Sequence, residues 1–131
     1  MKEKALIIGA GPGLSSSLTN LLTNEGFEVA IAARNTDKLA KLSETSGAEV
    51  HHCDASSIDD VRSLFEKLDN SVGTPNLVIY NPSARVPGSI TEIDPIETQK
   101  AINITCFGAF LVAQEASKRM LERGSGSIFF T

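Results

Sequence analysis

Residues 6–18 read LIIGAGPGLSSSL: an apolar run, then glycines at Gly9, Gly11 and Gly13, then three serines where a helix is expected to begin. An uninterrupted apolar run of this length fits a strand buried on both faces. A glycine-rich turn leading from such a strand into a helix offers free N–H groups and the positive end of the helix dipole, which together attract phosphate. The spacing decides which kind of phosphate cradle this is. A Walker loop is excluded, because no lysine follows the glycines. The pattern G-x-G-x-x-G takes Gly9 and Gly11 but meets Leu14, too large for the close helix–strand approach that the third glycine allows. The pattern G-x-x-x-G-x-G takes Gly9 and Gly13 and ends on Ser15, which is at least small.

Outward from this stretch, strand and helix patterns alternate to the end of the chain. ALIIG (5–9), FEVAIAAR (27–34), AEVHHCD (48–54), NLVIYN (76–81) and GSIFFT (126–131) read as five strands. The first helix carries Leu14, Leu18, Leu21 and Leu22 at helical spacing and stops at Gly26. A short polar helix begins at Asn35 or Thr36, turns Leu39 and Leu42 inward and closes on Gly47. The third is capped by Ser57, with Ile58, Val61, Leu64, Phe65 and Leu68 as its apolar face. Residues 95–123 read as one long helix, opened by Pro95 and closed by Gly124. Such alternation predicts an α/β fold, a doubly wound parallel sheet of Rossmann type in the order 3-2-1-4-5, occupying residues 1–131 as one dinucleotide-binding domain. Ligands are then expected at the carboxyl ends of strands 1 and 4, where the winding reverses.

Composition narrows the function. The net charge of −4 leaves no basic stripe for a nucleic-acid backbone, so no nucleic-acid partner is expected. The two cysteines, Cys53 and Cys106, read as free thiols of a reducing compartment. His51, His52 and Cys53 are consecutive on a strand and point to alternate faces, so no metal site is expected. The apolar run after the N-terminal lysines breaks at Gly9 and Pro12, too soon for a signal peptide, and no stretch suits a membrane span. A cytoplasmic protein without a membrane partner is the expectation.

In order along the chain, GAGPGLS (9–15), CDAS (53–56), NPSA (81–84) and the asparagine of AINITCFGAF resemble the short-chain dehydrogenases/reductases, and the likeness covers the whole chain. The family's usual last glycine is Ser15 here, which bears on the fit of a pyrophosphate. The resemblance implies that Gly9, Gly11, Gly13 and Leu14 wrap the pyrophosphate. It implies that Asp54, with Ala55, meets the adenine amino group, and that Asn81, matching the first residue of the family's Asn-Asn-Ala-Gly, lines the nicotinamide ribose. Pro82 departs from that pattern. Asn103 matches the asparagine of the family's Asn-Ser-Tyr-Lys catalytic tetrad, where it holds a local helix distortion. Physically, an asparagine within an apolar helix needs a partner for its amide.

The second strand ends Ala32-Ala33-Arg34-Asn35, with no carboxylate before Asp37. A carboxylate there would favour the ribose 2′-hydroxyl of NAD, whereas Arg34 offers a fork to a 2′-phosphate and Asn35 a neutral donor. NADP(H) is therefore favoured over NAD(H). The resemblance further implies an oxidoreductase acting on a small-molecule carbonyl/alcohol substrate. Its serine, tyrosine and lysine would follow strand 5, beyond Thr131, and the single tyrosine here, Tyr80, has Ala84 rather than lysine four residues on. Ile128, Phe129 and Phe130 would also leave an apolar sheet edge open. The chain is accordingly expected to be the dinucleotide-binding half of a longer enzyme, a fragment inactive alone, with a homo-oligomer expected only of the full length. A non-catalytic dinucleotide-binding module, or an inactive relic, stays open beside it.

Overall fold

The computed structural model describes residues 2–131. Five parallel strands run β1 Lys4–Ile8, β2 Glu28–Ala33, β3 Glu49–His52, β4 Leu77–Tyr80 and β5 Ser127–Phe130. Their order is β3-β2-β1-β4-β5, as the alternation predicts. Ala5, Leu6 and Ile7 of β1 are fully buried, which is why this strand reads as a continuous apolar run. The register pairs Ile8 with Ala32 on one side and Tyr80 on the other, so β1, β2 and β4 end together at one rim of the sheet.

Helices α1 (Leu14–Asn24) and α2 (Ala40–Ser46) cover one face; α3 (Ile58–Asp69) and α5 (Gly108–Arg123) cover the other. The first core holds Ile7, Leu22, Ile31 and Leu39, and the second holds Leu6, Phe65, Val78, Tyr80 and Val112. The caps follow the sequence. Asn35 accepts from the Asp37 N–H to start a 3₁₀ turn (Thr36–Leu39) ahead of α2, and Ser57 accepts from the Asp60 N–H at the start of α3. On the outer side of α3 and α5, Arg119 donates to both Asp69 and Glu115 and lies over the Phe65 ring at 5.2 Å, tying the two helices.

Three helical expectations are corrected. Leu14 and Leu21 face solvent, and α1 instead buries Ser15, Thr19 and Leu22. Small side chains let the helix start lie close to the sheet, so its inward face carries hydroxyls as well as an aliphatic group. Ile58, at the start of α3, is also exposed, because the helix meets the core only from Val61 onward. Finally, residues 95–123 are not one continuous helix. A single π-turn, Asn103–Phe107, separates α4 (Pro95–Ile102) from α5.

The π-turn has an identifiable cause. The Tyr80 hydroxyl reaches up from β4 and donates to the Ile104 carbonyl. Gly108 makes room, for a Cβ there would lie 2.2 Å from that hydroxyl and 2.8 Å from the Ala55 carbonyl oxygen. Replacing Gly108 by alanine should therefore destabilise the fold by about 1–3 kcal/mol, the usual cost of overpacking a core. A lowered urea midpoint with an unchanged m-value is the expected result; an unchanged midpoint would contradict the close contact.

Candidate functional site

A cleft of about 560 Å³ opens at the rim where β1, β2 and β4 end. Its walls come from four connections: Gly9 and Ala10 after β1, Arg34 and Asn35 after β2, Asp54 and Ala55 after β3, and Asn81–Ala84 after β4. The sequence scatters these residues, and the parallel register brings them together.

Two of the three loop glycines answer a structural demand. Gly9 has φ +80°, and a Cβ on it would lie 2.5 Å from the Pro82 nitrogen, so the β1 and β4 turns touch backbone to backbone. Gly13 has φ +89° and stands at the N-cap of α1, where no side chain caps the helix and no acidic residue occupies the first turn. The first N–H groups of α1 are thus left for an external acceptor. Gly11 meets nothing within 4 Å and lies along a separate shallow groove beside α2. Gly13 and exposed Leu14 belong to the helix start rather than to the walls of the cleft.

The polar residues are organised. The Asp54 carboxylate accepts from both the N–H and the hydroxyl of Ser56 at 3.0 and 2.7 Å. That hydroxyl bond is the main reason its pKa falls below the ordinary 3.8, aided by the nearby Arg34 charge. Asp60 accepts from the Asp54 N–H at 2.9 Å and fixes the turn. Arg34 is exposed at the margin of the cleft. Asn35 spends its side-chain oxygen on the Asp37 N–H, leaving its amide hydrogens as donors.

Asn81 is bound on every side. Its N–H donates to the Ile8 carbonyl at 2.9 Å, its side-chain nitrogen to the Ser15 hydroxyl at 2.6 Å, and its side-chain oxygen accepts from Thr131. Asn103 heads the π-turn with an exposed side chain, so its amide does not need a partner within the core. Its carbonyl accepts the π-type bond from the Gly108 N–H, and its neighbour Ile104 lines the cleft instead. Thr105 completes the connection, its hydroxyl 3.1 Å from the Ala84 nitrogen, and so pins the β4 turn to the helix.

Sequence reasoning missed Thr105, and it noticed Ser15 and Tyr80 without the contacts they make. Tyr80 is buried, and burial together with the nearby Cys53 pushes its pKa up to about 12. It is held as a neutral donor to a backbone carbonyl, not as an acid–base group. Its signal was visible in retrospect as a lone aromatic hydroxyl at the end of a strand that is otherwise apolar.

The chain's relatives agree with this geometry. A family model for short chain dehydrogenases matches residues 3–131. An uncharacterized oxidoreductase of Staphylococcus aureus (strain USA300) is 30% identical over 128 residues, which cover 95% of this chain and 55% of that protein. A short-chain type dehydrogenase/reductase from Mycobacterium marinum superposes with a TM-score of 0.90 at 25% identity, over 98% of this chain and 54% of that one. Actinorhodin polyketide ketoreductase, solved with NADPH, gives 0.91 at 26% identity, over 98% and 52%. The doubly wound sheet and its glycine turn are those of a nucleotide-binding oxidoreductase fold, and the chain belongs to the short-chain dehydrogenase family. It spans about half the length of the curated relatives it matches. Among the described residues, no helix is long and apolar enough to cross a membrane.

The two thiols report on the site from opposite sides. Cys53, at the foot of the cleft, is 2% exposed, and burial pushes its pKa up to about 12, with the carboxylates of Asp60 and Asp54 adding to the effect. Cys106 lies exposed on the π-turn. A thiol reagent at pH 8 should label one cysteine per chain in the native protein and two after denaturation. Rapid labelling of both in the native state would contradict the burial of Cys53.

Proposed function

We propose that the cleft binds NADP(H) and that these residues form the dinucleotide-binding half of an oxidoreductase acting on a carbonyl/alcohol substrate, in a cytoplasmic enzyme that pairs with copies of itself at full length. The observation that carries the cofactor choice is the end of β2. Arg34 and Asn35 stand there, with no carboxylate to repel a 2′-phosphate.

The residues present suit such a ligand. The uncapped start of α1 faces the pyrophosphate with free N–H groups, and Gly9 and Gly13 keep the backbone bare along its path. Asp54, ionised and held by Ser56, accepts from the adenine amino group, with Ala55 beside it. Gly11 and Leu14 complete the turn, Asn81 and its neighbours meet the ribose on the nicotinamide side, and Asn103 stands nearest the reacting end. When bound, the nicotinamide supplies or receives a hydride. Among the described residues the one tyrosine is committed to Ile104, so these residues hold and orient the cofactor and do not supply a tyrosine proton donor. The second reading is a dinucleotide-binding module without chemistry of its own, which would bind NADPH and turn nothing over.

Arg34→Ala removes a charge-assisted contact of about 1.5–3 kcal/mol, so the dissociation constant for NADPH should rise roughly ten- to a hundredfold while that for NADH changes less than about twofold. Calorimetry with both nucleotides checks this. Equal losses would remove the 2′-phosphate assignment.

A further inference from the structure

We propose that Ser15 is a positioning residue: its hydroxyl braces the Gly9 carbonyl against the Asn81 amide and so sets the crevice between β1 and β4 across which a dinucleotide passes. The inference rests on the dinucleotide reading and adds to it the role of the residue that breaks the glycine pattern.

The side chain is 1% exposed, although it belongs to the first turn of a surface helix. Its hydroxyl donates to the Gly9 carbonyl at 3.1 Å and accepts from the Asn81 side-chain nitrogen at 2.6 Å. Both capacities of the hydroxyl are therefore used beneath the loop, and none is aimed at a phosphate. The Asn81 oxygen accepts in turn from the Thr131 hydroxyl. Every donation in this chain runs the same way, from Thr131 to Asn81, to Ser15, to the Gly9 carbonyl. Head-to-tail bonds of that kind polarise one another in a low-dielectric setting.

The brace adds a side-chain link among elements that the sheet already joins through backbone, β1 to β4 and β4 to β5. Thr131 follows β5, Asn81 follows β4, Ser15 opens α1 and Gly9 ends β1. Below it, Thr19 donates to the Ser15 carbonyl at 2.7 Å and holds the helix turn that carries the hydroxyl. Beside it, the Gly9–Pro82 contact prevents the crevice from closing further. A glycine at position 15 would satisfy neither partner. The Gly9 carbonyl oxygen and one Asn81 amide hydrogen would each lose this partner, and the side-chain link between the two turns would go with them. In this chain, restoring the family's usual glycine thus loosens the site instead of improving it.

The test compares Ser15→Gly and Ser15→Ala with the unsubstituted protein, using NADPH and the half-ligand 2′,5′-ADP, which reaches Arg34 and Asp54 but not the β1–β4 crevice. NADPH should bind about tenfold more weakly to both variants, with 2′,5′-ADP within about twofold. Unchanged or tighter NADPH binding in Ser15→Gly would overturn the proposal. So would an equal loss for both ligands, which would mark a general loss of structure. Ligand-free amide exchange gives an independent arm: the Asn81 side-chain and Gly9–Gly13 backbone protons should exchange about tenfold faster in Ser15→Ala, with β1 and β2 unaffected. No change there would also overturn the brace. If the unsubstituted protein binds neither ligand, the dinucleotide reading is what fails, and the exchange measurement alone decides the brace.

Discussion

At the rim of the sheet, the backbone of Gly9 lies against the backbone of Pro82 with no room for a side chain between them. This contact is possible only because β1 and β4 run parallel with Ile8 beside Tyr80, so that both turns leave the sheet at one level. One turn then heads into α1 on one face while the other leads toward α4, the π-turn and α5, and the crevice between them is where the winding reverses. The cleft, the bare start of α1 and the Asn81 contacts all follow from that divergence.

On the β4 side, rigidity comes from polar groups placed where a helix is interrupted. A π-turn leaves backbone groups out of step with the α-helical ladder. Tyr80 donates to the carbonyl of Ile104, Thr105 reaches the Ala84 nitrogen, and Gly108 lets the tyrosine in. The turn is thereby held at three points, and it carries Ile104 to the cleft margin. On the β1 side, the corresponding role falls to Ser15. Each wall of the crevice is thus fixed by a hydroxyl that sequence patterns of glycine and asparagine do not mention.

Much of the architecture was legible because burial on both faces leaves a simple signature. LII, VAIA and LVIY could only be interior strands, and Gly26, Gly47 and Gly124 ended the helices where expected. Arg34, Asn35, Asp54, Ala55 and Asn81 were singled out from short motifs, and the register gathers them around one cleft. What stayed hidden depends on distance rather than on pattern. Leucine spacing misassigned the inward face of α1, since close packing favours Ser15 and Thr19 over Leu14 and Leu21. In AINITCFGAF only the resemblance at Asn103 hinted at a helix distortion, and the hydroxyl that meets the π-turn belongs to a residue more than twenty positions earlier.

The most direct measurement is an amide NMR titration of the protein with NADPH. The expected result is a saturable set of shifts confined to Gly9–Ser16, Arg34, Asp54–Ala55 and Asn81–Ala84, with the β5 end of α5, Ser117–Gly124, unmoved. Shifts absent at saturating nucleotide, or centred on Ser117–Gly124, would contradict a dinucleotide site at the ends of β1 and β4.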